Sequence, residues 1–183
     1  MSSADQRDRI KVSEDPYTGS PGQHATEVEP VIAVHKDTIV TAFQVGRFFG
    51  AGSDNIGWAT SKDAGKTWRH GFLTGTTTLV GVAWHSMSLP VIVFDQKHNS
   101  YLIAMMPFDD NQNGRGILVS RSADGLHWSA PITAASSSGA NGHWFACDNS
   151  AASPNFGNCY DAYLDYSSGT TVSNALVVSQ DGA

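Results

Sequence analysis

The chain has 183 residues, a net charge of −6, 40% hydrophobic residues, 18 glycines and only 15% charged residues. Nucleic acids and anionic membranes reward clustered Lys and Arg, which this sequence lacks, so both are excluded as main partners. No apolar run approaches the roughly 20 residues of a membrane span. The composition is that of a loop-rich globular β protein.

Residues 1–23 are predicted to form an extended lead-in. Pro16, Gly19, Pro21 and Gly22 interrupt this polar segment and prevent a regular element. We expect the lead-in to be mobile and to carry no function. It also lacks the apolar stretch of a signal peptide.

The first repeat is predicted to consist of strands joined by short turns. Strands are expected at Val31 to His35 and at Thr38 to Gln44, with a turn at Lys36-Asp37 between them. A third strand then runs into a hairpin turn at residues 61–68, SKDAGKTW. The Ser and Asp of this turn can bond its backbone, Gly65 can take a positive φ, and the Trp can pack on a neighbouring sheet.

The same order recurs along the rest of the chain. Strands are predicted at Val91 to Phe94 and at Tyr101 to Met105, and a second turn follows at residues 122–128, SADGLHW. Pro30 and Pro90 hold equivalent positions. A third, more divergent repeat ends the sequence, with a cysteine loop inserted between its first two strands.

The turn pattern S-x-D-x-G-x-T-W resembles the Asp-box, or bacterial neuraminidase repeat (BNR), of sialidases and related β-propellers. Residues 61–68 match it at every defined position, whereas the second copy is one residue shorter and lacks the Thr. The resemblance implies a structural role in outer hairpins for the matching residues, which are Ser61, Asp63, Gly65, Trp68, Ser122, Asp124, Gly125, Trp128, Ser179 and Asp181.

The repeat spacing predicts an incomplete propeller. Asp63, Asp124 and Asp181 recur at intervals of 61 and 57 residues, which suits one four-stranded antiparallel blade per repeat. We therefore expect an all-β partial β-propeller at 24–183, with about three blades near 24–75, 76–135 and 136–183. Three blades cannot close a ring of six or seven, so we expect an N-terminal portion that needs further blades or a second chain.

Cys147 and Cys159 are predicted to form a disulfide. They flank a loop rich in Ser, Asn, Pro and Gly that a short disulfide could close. Two free thiols are the alternative, and no spacing typical of a zinc site accompanies them. Together with the family resemblance, this loop favours a secreted or extracellular protein, although no signal peptide is present.

Candidate site residues lie next to the inner strands, where the loops of a propeller converge on its axis. Catalytic candidates are Glu27, Glu29, Arg47 and Asp109, and Glu27, Glu29 and Arg47 form the favoured cluster. Candidates for substrate binding are His24, Phe48, Phe49, His85 and His143, and Asp165 lies in a similar place. Each could instead be a solvated loop residue or a packing contact, and Phe48 and Phe49 stand out because their loop is Gly-rich.

The resemblance to sialidases implies a glycan substrate and an exo-glycosidase reaction. In that family an F-R-I-P motif opens the first blade and its Arg binds the sialic acid carboxylate. Aligned on Pro30, the Arg position falls on Val28, so the motif is absent. The family's Tyr nucleophile and its other two Arg come from later blades. The sequence thus leaves open an enzyme or a non-catalytic propeller that binds carbohydrate or protein.

The segment DDNQNG, starting at Asp109, fits the opening of a calcium-binding loop. Its twelfth position is Ser120 rather than the bidentate Glu that such a loop requires. Asn113-Gly114 between two strands is a strong hairpin signal. We therefore favour a turn and expect neither a metal site nor a cofactor, with calcium as the alternative.

Overall fold

In the computed structural model, residues 9–19, 21–77, 84–169 and 173–179 are described. They form ten antiparallel strands and no helix, so the predicted all-β class is confirmed. None of the described residues belongs to a helix able to cross a membrane. The strands are β1 (Glu27–His35), β2 (Thr38–Arg47), β3 (Ser53–Ser61), β4 (Arg69–Phe72), β5 (Ser86–Asp95), β6 (Ser100–Phe108), β7 (Gly114–Ser122), β8 (Ile132–Cys147), β9 (Cys159–Asp165) and β10 (Ser173–Ser179).

The strands group into three antiparallel meanders, which we call blades. Blade 1 is β1–β4, and blade 2 is β5–β7 completed by residues 132–136 of β8. Blade 3 starts with residues 140–147 of the same β8 and continues through β9 and β10. Thus the 16 residues of β8 serve as the last strand of one blade and the first strand of the next.

The blades stack through two apolar interfaces. Blade 1 packs Val40 and Ile56 against Met105 of blade 2, and these three side chains are fully buried. On its other face, blade 2 packs Leu102 against Phe145 and Tyr163 of blade 3. Blade 2 therefore buries alternate residues of its strands on opposite sides. The inner strands are neighbours as well, since β1 contacts β5 and β5 contacts β8, as expected around a shared centre.

Residues 9–19 have no regular secondary structure, and they are anchored rather than free. Val12 and Tyr17 pack against the apolar cluster of Phe43, Val45 and Ala59 on blade 1. The amide of Asn55 donates to the Tyr17 hydroxyl at 2.8 Å. The prediction of mobility missed these contacts because Val12 and Tyr17 are isolated apolar residues in a polar segment.

The first S-x-D turn is closed by its own side chains. The Ser61 hydroxyl donates to Asp63 Oδ1 at 2.8 Å and accepts from the Gly65 N–H at 2.8 Å. Thr67 donates its N–H to Asp63 Oδ1 and its hydroxyl to Asp63 Oδ2, at 2.8 and 2.6 Å. These bonds, led by that of the Thr67 hydroxyl, lower the pKa of Asp63 to about 2.

The second S-x-D turn replaces the missing Thr with a histidine. His127 donates its N–H to Asp124 Oδ1 at 2.9 Å, and its ring Nδ1 lies 2.7 Å from Asp124 Oδ2. Partial burial raises the pKa of Asp124, but the hydrogen bonds, led by that of His127, lower it overall. The His127 imidazole therefore makes the contact with the turn's aspartate that the Thr67 hydroxyl makes in the first turn. Of the third copy, Ser179 ends β10, and Asp181 lies outside the described residues.

The predicted disulfide between Cys147 and Cys159 is present. It joins the end of β8 to the start of β9, and the loop between them docks on the β5–β6 turn. There the Asn149 side chain accepts from the Gln96 N–H at 2.8 Å and donates to the Phe94 carbonyl at 2.7 Å. The cysteine loop therefore fastens blade 3 to blade 2.

Candidate functional site

Each inner strand carries a bulge at a comparable position. The pairing register shifts between Val28 and Val31 in β1, between Ser88 and Val91 in β5, and between Asn141 and His143 in β8. Every bulge contains one residue with positive φ: Glu29 at 54°, Leu89 at 51° and Gly142 at 50°. A bulge re-aims the side chains around it and is common next to active sites.

An open cavity of about 330 Å³, which we call the axial cavity, lies at these bulges. The inner strands contribute Glu29, Ser88 and Asn141, and β2 contributes Gln44 and Arg47. A second, more apolar cavity of about 250 Å³ shares Glu29 and Leu89 with it. The fold therefore gathers polar side chains from three blades at one place.

Glu29 is the carboxylate of the axial cavity. A non-glycine residue in the left-handed region costs about 1–3 kcal/mol and persists only where its surroundings hold it. Here the Glu29 carboxylate accepts a hydrogen bond from the Gln44 amide, which is buried and donates also to the Ser88 hydroxyl at 3.2 Å. The exposed carboxylate is thus fixed through a chain of side chains from two blades.

Arg47 lies on the wall of the same cavity, at the exposed end of β2. Its backbone carbonyl accepts from the Gln23 N–H at 2.7 Å. Among the residues that the structure describes, its guanidinium has no hydrogen-bond or ion-pair partner, so it is available to an anionic or hydroxyl-rich ligand. The structure thus brings two members of the predicted cluster, Glu29 and Arg47, to one cavity.

Glu27, the third member of that cluster, does not line the cavity. Its Oε1 is buried and has no hydrogen-bond partner within the described part of the chain. Glu27 and Glu29 are therefore only two positions apart on one strand, yet their side chains lie in different surroundings. The bulge at Glu29, which a simple alternation of faces does not predict, is the physical reason.

The two aromatic residues of the Gly-rich loop differ in exposure. Phe48 is 6% exposed and packs edge-to-face on His85, with 5.2 Å between ring centroids, so its ring is a packing contact at the cavity wall. Phe49 is 89% exposed and is free to stack on a ligand. Gly50 of the same loop lies against the Gln112 side chain.

The remaining predicted residues make structural contacts. His24 Nδ1 lies 2.9 Å from the Tyr17 carbonyl oxygen, and His85 Nδ1 lies 3.4 Å from Asp110 Oδ1. His143 has a fully buried side chain, so it supports the wall rather than meeting a ligand directly. Asp165 accepts from the Ser167 N–H at 2.8 Å, and its pKa is lowered, first by hydrogen bonds from Ser167.

Asp109 closes the turn between β6 and β7. Its Oδ1 accepts from the N–H groups of Asn111 and Asn113, at 2.9 and 3.0 Å, and Arg115 lies 3.8 Å from Oδ2. The backbone bond from Asn113 is the main cause of its lowered pKa. The carboxylate therefore serves the favoured hairpin turn. Within the described ranges, no group of three or more His, Cys, Asp or Glu side chains is arranged to hold a metal ion.

Asp54, at the start of β3, carries a buried carboxyl group that lies against Gly22 and Gly46. It is 2% exposed, and its Oδ2 has no partner among the described residues. Burial, followed by the charge of Asp15, raises its pKa to about 6, while His24 and His85 act in the opposite direction. Gly22 and Gly46 cover the carboxyl so closely that a Cβ at either position would overlap it.

Several residues of this region carry little signal in the sequence. Ser88 stands before Leu89-Pro90 as Val28 stands before Glu29-Pro30, so aligning the two prolines points to Ser88. The pattern around Gln44 predicts a strand but no role for its side chain, and Gln112 and Asn141 belong to no motif. Only the packing of the blades brings these residues together.

No model of a known protein family matches the chain, and no curated protein matches it. Solved structures do. An exo-β-1,3-galactanase from Phanerochaete chrysosporium aligns with a TM-score of 0.51 and 15% identity over 84% of this chain and 36% of its own. Zg3597, a family 117 glycoside hydrolase from Zobellia galactanivorans, aligns with a TM-score of 0.56 and 11% identity over 93% and 48%.

A third match is to a structure from the GH130 family of mannoside phosphorylases. That family is described as containing glycoside hydrolases that target β-1,2-mannosidic linkages in Candida mannan. The TM-score is 0.57 and the identity 14%, over 88% of this chain and 48% of the other. The fold is a partial β-propeller of the kind found in glycoside hydrolases. The chain spans less than half the length of these three structures.

Proposed function

We propose that this chain belongs to a glycan-acting propeller of the exo-glycosidase type, and that the axial cavity is its glycan site. The observation that carries the proposal is Glu29, an exposed carboxylate in a strained conformation at the inner bulge of blade 1. Strain of this kind clusters at functional sites. The glycoside hydrolase propellers that share the fold support a glycan as the ligand.

The cavity offers the groups that a sugar requires. Glu29 can accept hydrogen bonds from hydroxyl groups, and the amides of Gln112 and Asn141 can both donate and accept. Arg47 supplies a cationic donor, and Phe49, which lies in sequence between the lining residues Phe48 and Gly50, exposes an aromatic ring. Polar groups that fix orientation, with an aromatic surface to stack on, are typical of small polar ligands.

The sialidase-like form of the proposal assigns the carboxylate of a sialic acid to Arg47. Its support is that the guanidinium lies on the cavity wall without a side-chain partner among the described residues. Since Val28 stands where the family has the Arg of F-R-I-P, Arg47 would have to replace it from the neighbouring strand. Binding of sialic acid should therefore be measured alongside binding of neutral sugars.

A non-catalytic carbohydrate- or protein-binding propeller is the second candidate, and one observation favours it. Hydrolysis ordinarily needs two carboxyl groups on either side of the glycosidic bond. Within the described residues, Glu29 is the one carboxylate on the cavity wall. Hydrolysis would thus require a second acidic group, or a Tyr nucleophile as in sialidases, from elsewhere in the ring.

The deciding experiment measures glycan binding and glycoside turnover by the protein and three variants. Binding is measured on a glycan array, and turnover with a fluorogenic sialoside and a panel of 4-nitrophenyl glycosides. Glu29→Gln should weaken binding roughly 10- to 100-fold, because a charge-assisted hydrogen bond is lost. Arg47→Met should act selectively on acidic sugars.

Glu27→Gln is the matched control, since Glu27 lies on the same strand but outside the cavity. Binding without turnover would favour the non-catalytic module. Equal binding by the parent protein and Glu29→Gln would refute the proposed site.

We also propose an extracellular location and further sheets that complete the ring. The disulfide supports the location, because such bonds persist in oxidising compartments. Exposed apolar side chains on the first and last strands, Ile32, Val34 and Leu176, support the additional sheets, which would cover them. Free thiols in protein recovered from the medium would refute the pairing of Cys147 with Cys159, and retention of the protein inside the cell would argue against the location.

A further inference from the structure

His143 joins two blades at the axial cavity through both of its ring nitrogens. Nδ1 lies 2.8 Å from Asp161 Oδ2 on β9, and Nε2 lies 2.6 Å from the backbone carbonyl of Leu89 on β5. The histidine and aspartate side chains are 0% and 3% exposed. Leu89 is the positive-φ residue of the β5 bulge and lies on the wall of the axial cavity.

The identity of the two acceptors sets the protonation state of the ring. A backbone carbonyl can only accept, so Nε2 must carry a proton. An ionised carboxylate likewise only accepts, so with Asp161 ionised Nδ1 carries the second proton. A neutral imidazole has one N–H and could satisfy only one of these partners.

We propose that His143 is held as a buried imidazolium and acts as a positioning residue that fixes the Leu89 bulge. Its charge is balanced by Asp161, and the bridge ties blade 3 to the segment of blade 2 that lines the cavity. Among the residues that the structure describes, the other titratable groups that face this region are Tyr163 on β9 and Glu29 on β1. The link that His143 makes between Asp161 and Leu89 is inferred from these contacts alone. Its consequence for glycan binding rests on the proposed function.

The first test is ¹⁵N NMR of the histidine rings in the intact protein. The expected result for His143 is a pair of protonated nitrogens in wild type, and a neutral ring in Asp161→Asn. A wild-type ring with a single protonated nitrogen would overturn the proposal. That result would mean that the proton between His143 Nδ1 and Asp161 Oδ2 resides on Asp161.

The second test is hydrogen exchange by mass spectrometry on peptides covering residues 86–92. His143→Gln should accelerate exchange there by roughly tenfold or more, because local opening of the bulge becomes easier. His127→Gln is the matched control, since it removes an exposed His–Asp contact within a single turn. Unchanged exchange in a folded His143→Gln variant would also overturn the proposal.

Asp161→Asn serves as the second variant if His143→Gln fails to fold, with the same exchange expected at residues 86–92. Glycan binding is then measured in parallel on the array. Weaker binding that accompanies faster exchange would support both the bridge and the proposed site. Absence of glycan binding in wild type, with the NMR signature intact, would refute the proposed function and leave the bridge standing.

Discussion

Replacing Asp54 with Asn should stabilise the protein at alkaline pH. Asp54 is buried beneath Gly22 and Gly46, and its Oδ2 finds no partner in the described part of the chain. Burial disfavours the ionised form, and the nearby Asp15 adds repulsion. An amide of similar shape removes the titrating charge while keeping the volume.

The magnitude follows from the pKa of Asp54, which rises from 3.8 to about 6 on folding. Each unit corresponds to about 1.4 kcal/mol, so the shift is linked to about 3 kcal/mol of unfolding free energy. Because the folded pKa is the higher one, this contribution is fully present below about pH 4 and is lost as the pH rises through about 6. The introduced amide cannot titrate, so at about pH 8 the Asp54→Asn variant should exceed wild type by up to about 3 kcal/mol.

The assay is urea denaturation of both proteins at a series of pH values between about 4 and 8. The difference in unfolding free energy should grow with pH and level off above the folded pKa of Asp54. Asp109→Asn is a control of opposite sign, since hydrogen bonds lower the pKa of Asp109 and its ionised form stabilises the turn; this variant should be less stable than wild type by an amount that stays nearly constant above about pH 4. A constant difference between wild type and Asp54→Asn across this range would refute the reasoning.

Four further results are expected. Ser61→Ala should lower stability by about 1–2 kcal/mol in thermal denaturation, because a buried hydroxyl that closes the first turn is lost. Cys147→Ser together with Cys159→Ser should cost about 3 kcal/mol, and intact-mass measurement of wild type with reductant should show a gain of two hydrogens. Gly46→Ala should destabilise the end of β2, because Gly46 has a φ of 69° and lies against Asp54; an unchanged melting temperature would contradict this. Phe49→Ala should weaken glycan binding on the array without changing stability, since its side chain packs on little.

Local chemistry made the strands, turns and disulfide predictable. The turn at Ser61 and Asp63 is specified by residues within eight positions of one another, and the β1–β2 pairing by short, largely apolar runs on either side of Lys36-Asp37. The cysteines also lie close in sequence. These features depend on short-range hydrogen bonds and periodicity, which a single sequence displays.

The site was predictable only in part, because its geometry depends on contacts between blades. The sequence points to Glu29 and Arg47, but the Gln44–Ser88 bond that fixes Glu29 joins residues 44 positions apart. The burial of Asp54 depends on Gly46 of the paired strand β2 and on Gly22, which is far from Asp54 in sequence. His127 shows a different limit, since the sequence reveals a missing Thr but not that an imidazole could make the same hydrogen bonds.

The shared strand β8 has a mechanical consequence. Its residues 132–136 and 140–147 lie in adjacent sheets, so one uninterrupted extended backbone crosses from the second blade to the third. Any rotation of the third blade must twist that backbone, and force applied to one sheet reaches the other through covalent bonds as well as packing. We therefore expect blades 2 and 3 to move together, and to unfold together rather than one after the other.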